Sequence, residues 1–213
     1  MGGINMKDKT LITAHSGAEN TVDNTLESIC MLAVCGADIF EADVRWFEGR
    51  LVMSHDVPES AESAEVLEEC FRVMQRNESV RAQMDLKHEG LLEKVDSLAK
   101  EFGVADRLVY AGSVSEADAA YARAHGLTVW YNNTQLLKGS DWISGIAERG
   151  FDTLNLNYGD VSEKLLAESA HQLSVWTVND EEMIRKFLAA GVKGLTTKRP
   201  VLAVKLRDEI QKG

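Results

Sequence analysis

Eight short runs rich in β-branched and aromatic residues alternate along the chain with amphipathic stretches, and this alternation constrains the fold more than any other feature. The runs are Leu11–His15, Asp38–Trp46, Ala82–Lys87, Arg107–Ala111, Thr128–Asn132, Thr153–Tyr158, Leu173–Val178 and Gly194–Lys198. Strand-sized segments separated by helix-sized ones predict β–α units and a parallel sheet covered by helices. Eight such units close a (β/α)8 TIM barrel, the α/β fold class expected here; 213 residues make it a compact one, a single domain over residues 1–213 with short loops. An open doubly wound sheet is the competing arrangement. A further extended piece, Leu51–Ser54, follows the turn at Glu48-Gly49.

The intervening stretches carry helical periodicity and helical punctuation. Leu26, Ile29, Cys30, Ala33 and Val34 recur at the spacing of one buried face, with Gly36 as the stop. Val66, Leu67, Cys70, Phe71 and Met74 repeat the pattern, as do Leu92, Val95, Leu98, Ala99 and Phe102 before Gly103. Ser115 with Asp118 resembles a capping box. Asp180 is placed to cap a helix carrying Met183, Ile184, Phe187 and Leu188, which Gly191 closes.

Charge narrows the function. A net charge of −11 argues against a nucleic-acid partner, because phosphate backbones are met by clustered Lys and Arg. An anionic substrate must then be held by a local cation or a metal, against the field of the whole protein. Cys30, Cys35 and Cys70 form no paired framework; Cys30 and Cys70 are expected in the core of a protein from a reducing compartment. Met1 to Thr10 is polar, with no apolar run of signal-peptide length, and no later stretch could span a bilayer. Met6 breaks the myristoylation pattern begun by Met1-Gly2. The expected location is cytoplasmic, and oligomeric state is left open.

Polar residues gather where barrel enzymes keep their chemistry, at the C-terminal ends of the strands. His15 ends the first run; Glu41 and Asp43 lie in the second, and His55 follows the extension after it. Asp85 and Lys87 end the third, Asn132 and Asn133 the fifth; Asn155 and Asn157 lie in the sixth, and Trp176 and Asn179 close the seventh. Glu41 and Asp43 share a strand face, as do Asp85 and Lys87, because strand side chains alternate. Side-by-side carboxylates repel unless a cation intervenes. Glu41, Asp43 and Asp85, with no thiol among them, suit one hard divalent ion, Mg²⁺ or Ca²⁺, with Mn²⁺ a further possibility. His88, His125 and His171 are expected at the surface.

Motifs run in order along nearly the whole chain: His15-Ser16-Gly17, Asp23-Asn24-Thr25-Leu26, Gly36-Ala37-Asp38, Glu41-Ala42-Asp43-Val44 and His55-Asp56. Then come Asp85-Leu86-Lys87, Trp176-Thr177-Val178-Asn179, Gly191-Val192-Lys193-Gly194 and Thr197-Lys198-Arg199-Pro200. Together they resemble the glycerophosphodiester phosphodiesterase family, in a short form lacking the usual insertion after the second histidine. The resemblance implies a phosphoric diester hydrolase acting on a small phosphodiester. Glu41, Asp43 and Asp85 would hold the metal, His15 and His55 would be the acid/base pair, and Lys87 would stabilise phosphate charge. Trp176, Asn155 and Lys198 are the expected substrate contacts.

The departures are specific. Ser16 stands where the family has arginine, Asp85 where it has Glu, and Lys198 where it has Asp. Lys198 is the expected replacement for the lost arginine. Cleavage of a different or larger phosphodiester, or a barrel that binds a phosphorylated ligand without turning it over, are the alternative functions.

Overall fold

The computed structural model describes residues 9–32, 34–132 and 141–211. Ala33 and Asn133, and the residues of the N-terminal reading up to position 8, lie outside them. Eight parallel strands form the barrel wall: β1 (Leu11–Ala14), β2 (Ile39–Phe47), β5 (Arg81–Leu86), β6 (Leu108–Gly112), β7 (Thr128–Tyr131), β8 (Thr153–Asn157), β9 (Leu173–Trp176) and β10 (Gly194–Thr197). Strand β1 pairs with β10 on one side and β2 on the other, which closes the sheet and excludes the open alternative. Each wall strand leads to a helix: α1 (Leu26–Leu32), α2 (Leu67–Arg76), α3 (Leu92–Glu101), α4 (Glu116–His125), α5 (Trp142–Glu148), α6 (Glu163–Ser169), α7 (Glu181–Ala190) and α8 (Pro200–Ile210). No described helix is long and apolar enough to cross a membrane.

The expected caps form. Ser115 and Asp118 make a reciprocal box at the start of α4, Asp180 accepts the Met183 N–H, and Gly191 takes the left-handed conformation that ends α7. Helix α1 differs from its expected face. Ser28, Ile29 and Leu32 are buried, whereas Cys30 and Val34 are exposed. The rotation has a polar cause: Ser28 Oγ accepts hydrogen bonds from the Gly17 N–H (3.2 Å) and the Thr21 hydroxyl (2.9 Å), so a serine is drawn inward to satisfy the loop after β1. Cys70 is buried as expected, and all three cysteines are free.

Strand β2 is long and overshoots the barrel rim. It folds back as β3 (Arg50–Met53), which pairs in turn with the short β4 (Glu65–Val66) ahead of α2. This hairpin precedes His55 and returns it to the level of Asp43, whose carbonyl accepts the Ser54 N–H at 3.0 Å.

Inside the barrel, side chains stack in layers. Leu11, Ile39, Val109 and Trp130 make an apolar plug at the N-terminal end. Gly194 must lack a side chain there, since a Cβ would come within 2.9 Å of the Trp130 ring. Thr13, Glu41, Gln83, Asn155, Ser174 and Thr196, all buried, form a polar layer above the plug. The mouth lies above that.

Candidate active site

Strand alternation brings Asp43 of β2 to the mouth beside its register partner Asp85 of the adjoining β5, with Glu41 on the same face in the polar layer just beneath. One oxygen of each of these three carboxylates lies within 4.8 Å of the others. Glu41 is fixed by the Ser16 N–H, which donates to its Oε2 at 2.8 Å. Asn24 grips Asp43 twice, donating to Oδ2 at 2.7 Å and accepting the Asp43 N–H at 2.9 Å. Lys87 places its ammonium 2.6 Å from Asp43 Oδ1 and 2.6 Å from Asp85 Oδ2.

Burial and crowding set the charges. Burial, then the neighbouring Asp43 and Asp85, push the Glu41 carboxyl well above the usual range. Burial also dominates at Asp85 and raises it, with Lys87 offsetting part of the effect. Burial would raise Asp43 as well, but the Lys87 ammonium and the Asn24 bond outweigh it and hold Asp43 low. Burial would depress Lys87, yet Asp85 and Asp43 override it and raise its pKa.

This donor set fits a divalent cation. The three carboxylates and the Lys87 ammonium leave a formal excess of two negative charges when ionised, which one such ion balances. The ligands are all oxygens, and a 4.8 Å spread is within reach of one Ca²⁺ with ligand distances of about 2.3–2.6 Å.

The two histidines border this cluster. His15 Nδ1 is 2.7 Å from the Ser16 carbonyl oxygen and 3.8 Å from Glu41 Oε2. A carbonyl only accepts, so Nδ1 carries the hydrogen and Nε2 is left to exchange protons. His55 Nδ1 lies 3.0 Å from Asp56 Oδ1, which fixes the same tautomer. Each ring acts electrostatically on the cluster, His55 on Asp43 and His15 on Asp85.

The expected substrate contacts are placed differently from one another. Trp176 is partly buried at the end of β9, with its Nε1 buried and unpartnered among the described residues. Asn155 sits one layer deeper, with Oδ1 likewise buried and unpartnered. Lys198 reaches the rim, but its ammonium lies 3.3 Å from both carboxylate oxygens of Asp23. Asn132 accepts the Gly112 N–H at 2.9 Å. His88, His125 and His171 are exposed, as expected.

Three residues hold positioning roles that the sequence did not assign them. Ser16 is buried and uses every polar group: its N–H holds Glu41, its carbonyl holds His15, and its Oγ accepts the Asn24 N–H at 2.5 Å. Asn24 is the second. Gly112, at φ +85°, is the third; a Cβ there would meet Asp85 Oδ1 at 2.2 Å and the Leu86 carbonyl at 2.4 Å. A glycine directly after the expected strand-end residue Ala111 was the available signal for Gly112.

No protein-family model matches the sequence, and no curated protein sequence matches it. Solved structures do match. A candidate glycerophosphoryl diester phosphodiesterase of Agrobacterium tumefaciens superposes with a TM-score of 0.80 at 19% identity, over 96% of this chain and 100% of the other. A glycerophosphodiester phosphodiesterase of Parabacteroides distasonis gives 0.76 at 21% identity, over 95% of this chain and 98% of the other. The fold is that of the glycerophosphodiester phosphodiesterase structures. An Oleispira antarctica phosphodiesterase solved with its product sn-glycerol-3-phosphate gives 0.73 at 16% identity, over 94% of this chain and 97% of the other.

Proposed function

We propose that this barrel is a metal-dependent phosphodiesterase that converts glycerophosphodiesters to an alcohol and glycerol 3-phosphate. The observation that carries this reading is the pair of tautomer-fixed histidines, His15 and His55, set against one cluster of three carboxylates and a lysine. The likeness to structures named for this activity, one of them holding sn-glycerol-3-phosphate, supports it.

Cleavage of a phosphodiester needs a base for the incoming hydroxyl and an acid for the leaving alkoxide, and histidine serves as either near neutral pH. One histidine takes the proton of the glycerol hydroxyl next to the ester as its oxygen bonds to phosphorus. The bond from phosphorus to the leaving alcohol breaks, and the other histidine protonates that alkoxide. Water then opens the cyclic phosphate with the two roles exchanged, giving glycerol 3-phosphate. Lys87 lends positive charge beside the phosphate. A divalent cation on Glu41, Asp43 and Asp85 would neutralise charge on the non-bridging oxygens. Trp176 and Asn155 offer buried polar atoms to the substrate, and Lys198 would reach it from the rim only by giving up its pairing with Asp23.

The test is a panel of phosphodiesters that differ in leaving alcohol and in the presence of the adjacent hydroxyl, each with and without chelator. Turnover limited to substrates with that hydroxyl, and lost with chelator, is the expected pattern. No turnover of any glycerophosphodiester, or turnover untouched by chelator, contradicts the reading.

A further inference from the structure

The mouth needs a cation free to meet an anion, and the two lysines expected there are already matched. Lys87 lies between Asp43 and Asp85, and Lys198 is paired with Asp23. Arg45 is different. It follows Glu41 and Asp43 at alternate positions of β2, so it stands on their strand face where β2 rises past the rim. Its Nε and Nη2 both donate to the carbonyl oxygen of His55, at 2.9 and 2.6 Å. That oxygen is neutral. The nearby Asp56 carboxylate is bound to the His55 ring, and no described carboxylate forms an ion pair with Arg45. Its Nη1 hydrogens have no described partner. What sets Arg45 apart is that its guanidinium, without an acid partner, is held by the carbonyl of a histidine of the site.

We propose that Arg45 is the anion-binding residue of the mouth, gripping a non-bridging phosphate oxygen through the face of its guanidinium fork left free by His55. The proposal rests on the phosphodiesterase reading of the same site. The bond to His55 supplies what phosphate recognition by arginine requires: a planar donor set held in one orientation before the ligand arrives. It also locates the cation whose loss at Ser16 the sequence implies. Ser16 is buried among Glu41, His15 and Asn24, so the replacement arises on the next strand rather than at the same position.

The competing role is a structural staple between β2 and the segment carrying His55. Arg45→Gln separates the two, because an amide can still donate to the His55 carbonyl but carries no charge. Arg45→Lys keeps the charge and loses the fork. Inorganic phosphate binding to the full chain would be measured by titration calorimetry, with KM and kcat for a glycerophosphodiester and melting temperature alongside. Arg45→Gln should weaken phosphate binding and raise KM, each by about tenfold, the order expected for one charge-assisted hydrogen bond. Its kcat should fall much less, and Arg45→Lys should recover part of the binding. Unchanged phosphate affinity and KM in Arg45→Gln overturn the proposal, as does a loss confined to kcat. Phosphate binding that depends on Arg45 in a protein inert towards every phosphodiester would uphold the anion site and refute the enzymatic reading. Turnover with phosphate binding indifferent to Arg45 would do the reverse.

Discussion

The ammonium of Lys87 lies 2.6 Å from the carboxylate of Asp43, and it makes the same contact with Asp85. One lysine therefore partly neutralises two of the three carboxylates assigned to the metal. Its charge should matter more to the reaction than to metal retention. Lys87→Met should lower kcat roughly 10²–10³-fold, the usual effect of removing one charge-stabilising donor. Its cation affinity, measured by calorimetry, should be equal to wild type or tighter, because the cluster becomes more negative. Loss of cation binding in this variant would show that Lys87 organises the ligands instead.

Glu41 has the opposite problem, a carboxyl whose ionised form is disfavoured first by burial and then by Asp43 and Asp85. Its folded-state pKa is raised, so the fold binds that proton more tightly than the unfolded chain does. The resulting stabilisation is complete below the ordinary value of 4.5 and is lost as pH rises through the raised value. Metal-free Glu41→Gln should therefore melt higher than metal-free wild type at about pH 8, with the gap closing as pH falls towards 4.5. Added Mg²⁺ or Ca²⁺ should stabilise wild type and leave the variant unmoved. Parallel melting curves across pH would contradict this account of the cluster.

Gly112 shapes the setting of Asp85, the third proposed ligand. Gly112→Ala combines a left-handed backbone with a Cβ directed at Asp85 and at an unyielding backbone carbonyl. It should cost about 1–3 kcal/mol of stability and weaken cation binding. Gly126→Ala is the control, since Gly126 also has positive φ but open space around its would-be Cβ. It should cost about 1–2 kcal/mol, from the backbone alone, and leave cation affinity intact. Equal effects of the two on cation binding would remove the steric argument.

The histidines should behave as a unit. His15→Ala and His55→Ala should each reduce kcat by about 10²–10⁴ with melting temperature nearly unchanged, and the double variant should be little worse than either. Near-normal rates in both single variants would end the two-histidine mechanism.

The barrel was legible because its strands and helices carry their own periodicity and punctuation, and the Glu41–Asp43 and Asp85–Lys87 pairs because alternation on a strand is a local rule. Long-range polar contacts were not legible. Asp23 and Lys198 are separated by 175 positions and meet only when β10 closes against β1. The inward turn of Ser28 depends on Gly17 and Thr21 across a loop, which a hydrophobic pattern cannot register. Arg45 lay in plain view at the next alternate position after Asp43, but its significance depends on the hairpin that brings the His55 carbonyl back to it.

The most direct measurement of the central claim is phosphorus NMR of a glycerophosphodiester incubated with the protein and Mg²⁺, repeated with excess chelator. The diester signal should give way to glycerol 3-phosphate through a transient five-membered cyclic phosphate, and should not change once the cation is chelated. A diester signal that persists in the presence of cation, or decays at the same rate with chelator, would contradict it.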